Sequence, residues 1–518
     1  MLFDSSADLA TAQAISQLAF CNHFLPERIE CERALLGEQF VETDGVWSLS
    51  KDWDGNRPNI GRIKDKVESF ATKLRDRLAA GERPGDKELV LYERVAVYLF
   101  YYRVHDPLRR YLDGSMAKPQ QELAEAYTKF VEDVEYFFEL PGIKLPDGYN
   151  APHLFALCFQ VRRAFHHIFE SIVGTSMPAA RLRAAIWQSI FTHDMSRYRR
   201  TFYDRMSDLT TLITGPSGTG KELVARAIAL SRYIPFDPKT RSFTGHYEEL
   251  FYPLNLSALS PTLIESELFG HRRGAFTGAL EDRAGWMEVC HPLGTVFLDE
   301  IGELESGIQV KLLRVLQTRT FQRLGDTRTR HFRGKIIAAT NRDLAREMSA
   351  GAFRQDFYYR ICSDLISTPS LREQLAAAPE DLRSMILFIT RRIAADEAEE
   401  LAEEVDRWVR KHLGPDYPWP GNFRELEQCV RNVLIRHEYR PADLAGRSEA
   451  DQLAHDLEAG SMTADELLRR YCSLVYSRTR NLEETARRLK LDRRTVRSKV
   501  DPELLAGSRE KEDVGTGT

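Results

Sequence analysis

The stretch Gly215-Pro216-Ser217-Gly218-Thr219-Gly220-Lys221 constrains the fold more than any other part of this 518-residue chain. It follows an apolar run at Thr210 to Ile213 and opens a helical pattern, the strand-to-helix setting that a phosphate loop requires. Glycines let backbone N–H groups turn inward around phosphates, the helix N-terminus adds positive potential, and Lys221 reaches the outer phosphates. From about Ile172 to Arg372, β-rich and helical segments alternate, as in an α/β domain with a largely parallel sheet. Further strands are expected at 251–256, 295–298 and 335–339.

Around that loop the sequence supplies chemistry. Lys221 is followed by Glu222, where the general pattern has Ser or Thr to hold magnesium. The strand Val296-Phe297-Leu298 ends in Asp299-Glu300, so Asp299 is expected to hold Mg2+, directly or through water, and Glu300 to polarise the attacking water. Asn341, after the strand ending at Thr340, is placed to sense the third phosphate of ATP. Arg354 and Arg360 are candidate arginine fingers, groups that neutralise charge during phosphoryl transfer, often on a neighbouring subunit's nucleotide; a surface ion pair is the other reading of each. Between the two nucleotide motifs lies Gly274-Ala275-Phe276-Thr277-Gly278-Ala279, small residues with one aromatic and one hydroxyl, which suggests a moving finger.

Upstream, residues 1–168 read as a helical domain, with apolar residues at three- and four-residue intervals in Ile63-Val67-Phe70-Leu74 and Phe130-Val134-Phe137-Phe138. The stripe Tyr92, Tyr98, Phe100, Tyr101, Tyr102 fits either a core or the lining of a ligand pocket. No strand-end acidic cluster marks a phosphate-receiver domain, so the signal this domain senses is left open. Seven cysteines without paired short spacings argue against a disulfide frame or a zinc site, Cys21, His23 and Cys31 included. No apolar run approaches the roughly 20 residues that span a bilayer, and a cytoplasmic protein is expected.

The net charge of -5 means that any nucleic-acid contact must come from a local basic patch. One lies at Asn481 to Val500. Asn481 and Glu484 suggest a capping box, with Leu482, Ala486 and Leu489 inward. Asp492 caps a second helix, which turns Val496 and Val500 inward and leaves Arg493, Arg494, Thr495, Arg497, Ser498 and Lys499 for a major groove. The preceding helix, with Leu467, Leu468, Tyr471, Leu474 and Val475 on one side, is read as a dimer element that lets two units meet a palindrome in double-stranded DNA.

Taken together, these motifs resemble the sigma-54-dependent transcriptional activators, bacterial enhancer-binding proteins of the AAA+ ATPases. The residues that carry the likeness are the Gly-Lys-Glu ending of the phosphate loop, Glu265-Ser266-Glu267-Leu268-Phe269-Gly270-His271, the intact Gly274 to Ala279 loop, Gly294 to Ile301, and Trp419-Pro420-Gly421-Asn422-Phe423-Arg424-Glu425-Leu426. The likeness covers roughly Ile172 to Arg436 and, more loosely, the C-terminal unit; joined with the patterns along the chain it gives a helical regulatory domain (1–168), an α/β ATPase subdomain (169–375), a helical lid (376–440), a linker (441–460), a Fis-type helix-turn-helix (461–505) and a disordered tail (506–518) as expectations. It implies that the loop around Phe276 and Thr277 touches sigma-54 in the RNA polymerase holoenzyme, that Asn255 restrains Glu300 until engagement, and that Arg424 reads nucleotide state. It also implies a ring, commonly a hexamer, built from inactive dimers. An AAA+ remodeller of another substrate, or a repressor that binds nucleotide without turnover, leaves the finger or the Asp299-Glu300 pair unexplained.

Three departures stand out. The stretch Pro235 to Tyr252 is longer than the usual connection, Met195 to Ser207 looks inserted, and the pattern after Leu371-Arg372-Glu373 dissolves into Gln374-Leu375-Ala376-Ala377-Ala378. The short junction near Glu170 suggests that the N-terminal domain holds the ring-forming surfaces apart until a signal arrives.

Overall fold

A computed structural model describes residues 2–42, 58–146, 149–394, 396–441, 453, 456, 457, 462–479 and 481–500. Most of the expected linker and the whole expected tail lie outside the described residues. Two compact units emerge, 1–437 and 438–518. Among the described residues, no helix is long and apolar enough to cross a membrane.

The first unit opens with α1 (Ser6–Phe20), α2 (Glu27–Leu36), α3 (Pro58–Ala79), α4 (Asp86–Leu112) and α5 (Pro119–Phe138). The expected stripes face inward: Ile63, Val67, Phe70 and Leu74 on α3, Phe130, Val134, Phe137 and Phe138 on α5. Helix α6 (Ala151–Ser171) starts at Asn150, whose side chain accepts the His153 N–H, and runs past residue 168 without a break. It is buried on nearly every side because its two faces pack against different partners, the N-terminal helices and the α/β domain. Helix α7 (Met177–Phe191) follows, capped by Ser176.

The α/β domain is built on a parallel five-stranded sheet in the order β11-β1-β10-β7-β4, with β1 Thr211–Thr214, β4 Phe251–Asn255, β7 Thr295–Asp299, β10 Lys335–Thr340 and β11 Asp364–Ser367. Four of these strands match the expected apolar runs. β11 was not legible, because an edge strand of alternating exposure carries no apolar run. Parallel pairing aligns the C-terminal ends of β1, β7 and β10, the place where open α/β sheets bind ligands.

Two of the departures, one before β1 and one between the helix Lys221–Leu230 and β4, are structured. Residues 195–202 form short α and π turns, and Pro235 to Tyr252 holds a small hairpin, β2 (Phe236–Asp237) with β3 (Ser242–Phe243). Its two phenylalanines enter the N-terminal core: Phe236 lies 4.5 Å from Tyr127, and Phe243 stacks on Phe159 at 4.2 Å between ring centroids. After the sheet come helices Leu371–Ala377, Asp381–Ile393, Ala398–His412 and Asn422–Arg436. The stretch where the pattern dissolved is thus a helix, started by a capping box of Ser370 and Glu373.

The second unit contains helices Ala464–Thr479, Leu482–Leu489 and Arg493–Lys499 around Cys472, Tyr476, Ala486, Val496 and Val500.

Candidate nucleotide site, finger loop and basic unit

β1 delivers the phosphate loop to the first turn of the helix Lys221–Leu230. Gly215, Gly218 and Gly220 all have positive φ, and a Cβ at Gly215 would collide with Thr368, one at Gly218 with the Gly421 carbonyl. Only glycine fits that cradle. Lys221 is buried, its Nζ 3.1 Å from the Gly215 and Pro216 carbonyl oxygens, and burial lowers its pKa while Glu300 and Asp299 oppose the shift. Thr219 Oγ1 lies 2.8 Å from the Pro216 oxygen and 2.6 Å from Thr368 Oγ1, fixing the loop to the end of β11.

Asp299 ends β7, and burial raises its carboxyl pKa against the pull of the Glu300 N–H and Lys221. A desolvated carboxylate facing a lysine is a fitting partner for a hard cation. Glu300 sits at φ 56, a left-handed conformation rare outside glycine, so the neighbouring structure holds it in place. The Asn341 N–H donates to Glu300 Oε2 at 3.4 Å, which joins the ends of β7 and β10. Asn255 is paired in register with Asp299, yet its side chain accepts from Ser257 N and Oγ at 3.0 and 2.8 Å rather than holding Glu300. Glu222 is exposed in the first helical turn and adds negative potential at Asp299.

The lid closes the site from the other side. Arg424 Nη1 donates to Ser217 Oγ at 3.3 Å. Asn422, absent from the expected site, does more: Nδ2 donates to the Ser217 carbonyl at 2.9 Å and Oδ1 accepts the Leu371 N–H at 2.8 Å, from a left-handed backbone of φ 53. Asp381 was also missed. It is buried and receives Thr175 N at 2.7 Å, Thr175 Oγ1 at 2.7 Å and Ser176 N at 3.0 Å, tying the start of α7 to the lid. Its local sequence, Pro-Glu-Asp-Leu, reads as an ordinary helix start, so only the tertiary partner reveals it. Arg354 forms a surface ion pair with Asp356, and Arg360 places Nε and Nη2 3.3 Å from the Leu316 carbonyl.

The finger loop lies between β5 (Gly270–His271) and β6 (Arg283–Ala284). Gly274 and Gly278 supply the positive-φ corners, at 80° and 101°, and the loop is closed by Gly274 N–H to Ala279 O at 2.8 Å. Thr277 is exposed, Ala275 and Phe276 are half-buried, and the Phe276 ring meets His271 edge-on at 5.0 Å. A second hairpin, β8 (Thr320–Phe321) with β9 (Arg330–His331), supports it through Arg272 N–H to Leu324 O and Leu324 N–H to Gly270 O, both 2.9 Å. The helix Pro261–Phe269 connects the finger to the segment after Asn255, so one continuous stretch runs from the sheet end to the loop.

In the C-terminal unit, Asn481 Oδ1 accepts from Glu483 and Glu484 N–H, but the capping box is not completed, because the Glu484 carboxylate is paired with Arg487 and Arg488. Asp492 caps the last helix as expected. Arg494, Arg497 and Ser498 are exposed, and Thr495 donates to Asp492 at 3.0 Å. Arg493 pairs with Glu483, and Lys499 is tied to Asp465 rather than projecting freely.

Comparison with known proteins agrees with the motifs. Residues 192–366 match the family model of the sigma-54 interaction domain. The chain is 43% identical over 320 residues to the Nif-specific regulatory protein of Enterobacter agglomerans, covering 62% of this chain and 54% of that one. It is 43% identical over 242 residues to the transcriptional regulatory protein ZraR of Salmonella typhimurium, covering 45% and 49%. The chain spans about half the length of these curated relatives. Among solved structures, NtrX from Brucella abortus in complex with ATP aligns at 23% identity and TM-score 0.40, over 72% of this chain and 79% of that one.

Proposed function

We propose that this relative of the sigma-54-dependent transcriptional activators binds and hydrolyses ATP and uses the reaction to drive the Gly274–Ala279 loop against sigma-54, remodelling the closed polymerase complex into the open one. The observation that carries the reading is convergence: the C-terminal ends of parallel β1, β7 and β10 lead to Lys221, Asp299, Glu300 and Asn341, and Arg424 reaches the phosphate loop from the lid. Magnesium, held by Asp299, would neutralise phosphate charge. Lys221 and the loop N–H groups bind the phosphates, and Glu300, already bonded to the Asn341 N–H, orients water. Movement at Asn341 and Glu300 is passed along the segment after Asn255 to the finger.

Arg354, the N-cap of the helix Gln355–Ile361, and Arg360 in its last turn are exposed and act across the interface of a ring. The exposed Arg494 and Arg497 hold the protein to upstream double-stranded DNA as a dimer of basic units. A cytoplasmic site of action follows from these partners. The test is ATP turnover by the full chain: Lys221→Ala is expected to lose nucleotide binding, whereas Glu300→Gln binds ATP and stalls. Equal turnover by wild type and Glu300→Gln would remove Glu300 from the mechanism.

A further inference from the structure

We propose that a cavity lined by helices α1 to α7 and the 195–199 segment is an effector site for a small, neutral, ring-bearing molecule, and that its occupancy is relayed to the phosphate loop. The relay rests on the ATPase reading above; the binding does not. The cavity measures about 410 Å³. Protein interiors pack at crystal-like density with few voids larger than a water molecule, whereas ligand pockets begin near about 300 Å³. A void of this size has room for a small ring-bearing molecule.

Its lining fixes the chemistry of the guest. The aromatic stripe of α4 divides: Tyr92 is fully buried in the helical core, while the half-buried Tyr98, Tyr101 and Tyr102 line the cavity, with Phe130, Phe165 and Trp187 contributing further ring surface. Rings offer flat guests stacked and edge-on contacts. Polar groups are spread around the lining, Lys64, His105 and Asp106 among them. The Tyr98 and Tyr102 hydroxyls lie 3.1 Å apart, and Arg28 pairs with Glu32 at 2.5 Å, the two side chains 3% and 4% exposed. Arg199 pairs with Glu93, and Arg94 donates to Ser16 Oγ at 3.1 Å while lying over the Phe20 ring. Burial keeps His23 neutral, its pKa lowered to about 3. At the tyrosine pair a hydroxyl or ring N–H joins without breaking an ion pair, whereas an anion placed there on Arg28 would have to compete with Glu32.

The far wall belongs to the inserted segment before the sheet: Met195, Ser196, Tyr198 and Arg199. Tyr198 continues into a π turn over Tyr198–Phe202, a geometry frequent at functional sites. Its hydroxyl and the Gln160 side chain are hydrogen-bonded at 2.7 and 2.9 Å, and Gln160 Nε2 also donates to the Ser231 carbonyl at 3.0 Å. Ser231 is the C-cap of the helix that begins at Lys221. A guest that displaces Tyr198 thus moves a group bonded to the far end of the phosphate-loop helix.

The experiment is calorimetric titration of the full chain with 2-naphthol, indole and 2-naphthoate, alongside ATP turnover. Both neutral probes are expected to bind, and 2-naphthoate about tenfold more weakly or worse. Val97→Phe and Val161→Phe, which fill the cavity, are expected to lose binding while retaining the thermal transition of the wild type. Gln160→Leu should keep binding and lose the probe-induced change in turnover. Lys221→Ala should bind the probes as wild type does, so a failed ATPase reading and a failed site give different results. Absence of heat with both neutral probes in the wild type, or unaltered binding in both filled variants, overturns the site; a wild-type turnover that ignores bound probe, or a Gln160→Leu response equal to wild type, overturns the relay.

Discussion

The two ends of the ten-residue helix Lys221–Leu230 solve the same electrostatic problem in different ways. At its N-terminus, unsatisfied N–H groups and the positive end of the helix dipole face a glycine loop built to admit an anion. At its C-terminus, carbonyls and the negative end of the dipole are met from inside the chain. Arg163 of α6 donates to the Leu230 and Arg232 carbonyls at 2.6 and 2.5 Å, and Gln160 to that of Ser231. Arg163 is 1% exposed and also lies over the Phe159 and Tyr247 rings at 4.9 and 5.3 Å. One end is left open to a ligand; the other is capped by α6 side chains. The helix that carries Lys221 is therefore gripped at its far end by α6.

The strongest way to break this comparison is to remove the capped end. Deleting residues 1–168 cuts α6 three residues before its end and strips Phe236, Phe243 and the helix carbonyls of their partners. The truncated chain is expected to aggregate or melt far below the wild type rather than form a constitutively active ring. Arg163→Leu, a milder form of the same change, is expected to cost about 3 kcal/mol or more, since charged hydrogen bonds to buried carbonyls are worth about 1.5–3 kcal/mol each. Chemical denaturation of the truncated chain and of full-length Arg163→Leu measures both, and a soluble deletion with wild-type melting would show that α6 is dispensable.

How far the sequence carried follows from the same contrast. A glycine loop between a strand and a helix start, and a carboxylate pair at a strand end, are local patterns, so the positions of Gly215 to Lys221 after β1 and of Asp299-Glu300 at the end of β7 were legible from spacing alone. The helical stripes of α3 and α5 were legible because a 3.6-residue period is local. Asn422 and Asp381 were not, because each acts on backbone about two hundred residues away. The Pro235 to Tyr252 insertion was visible only as extra length. Its meaning lies in where Phe236 and Phe243 are buried, and no property of the segment itself records that. Lys499 looked like its basic neighbours until Asp465 proved to face it.

A smaller effect sharpens the reading of the second unit. Arg497→Ala is expected to weaken binding to the upstream site by about 1–3 kcal/mol if it reads a base edge. Lys499→Ala, already paired with Asp465, is expected to change binding less, and footprinting at fixed salt compares them. A pH effect on the first unit is a further test. Burial lowers the pKa of His23 from 6.5 to about 3 and that of His167 from 6.5 to about 2. Between those values the unfolded chain binds more protons than the folded one, so stability is full above about pH 6.5 and is lost as the pH falls below it. Denaturation midpoints across pH 4.5 to 7.5 should show the decline, and His167→Gln should flatten it.

The central claim, that hydrolysis at the phosphate loop is spent through the finger on sigma-54, is tested most directly by open-complex formation on a premelting-free promoter carrying an upstream site, with promoter melting and ATP turnover measured in the same reaction. Thr277 is exposed in the finger, away from the phosphate-loop contacts, so Thr277→Ala is expected to retain most ATP turnover and to yield no melted promoter, whereas Glu300→Gln loses both. A Thr277→Ala chain that melts the promoter as fast as the wild type would contradict the account.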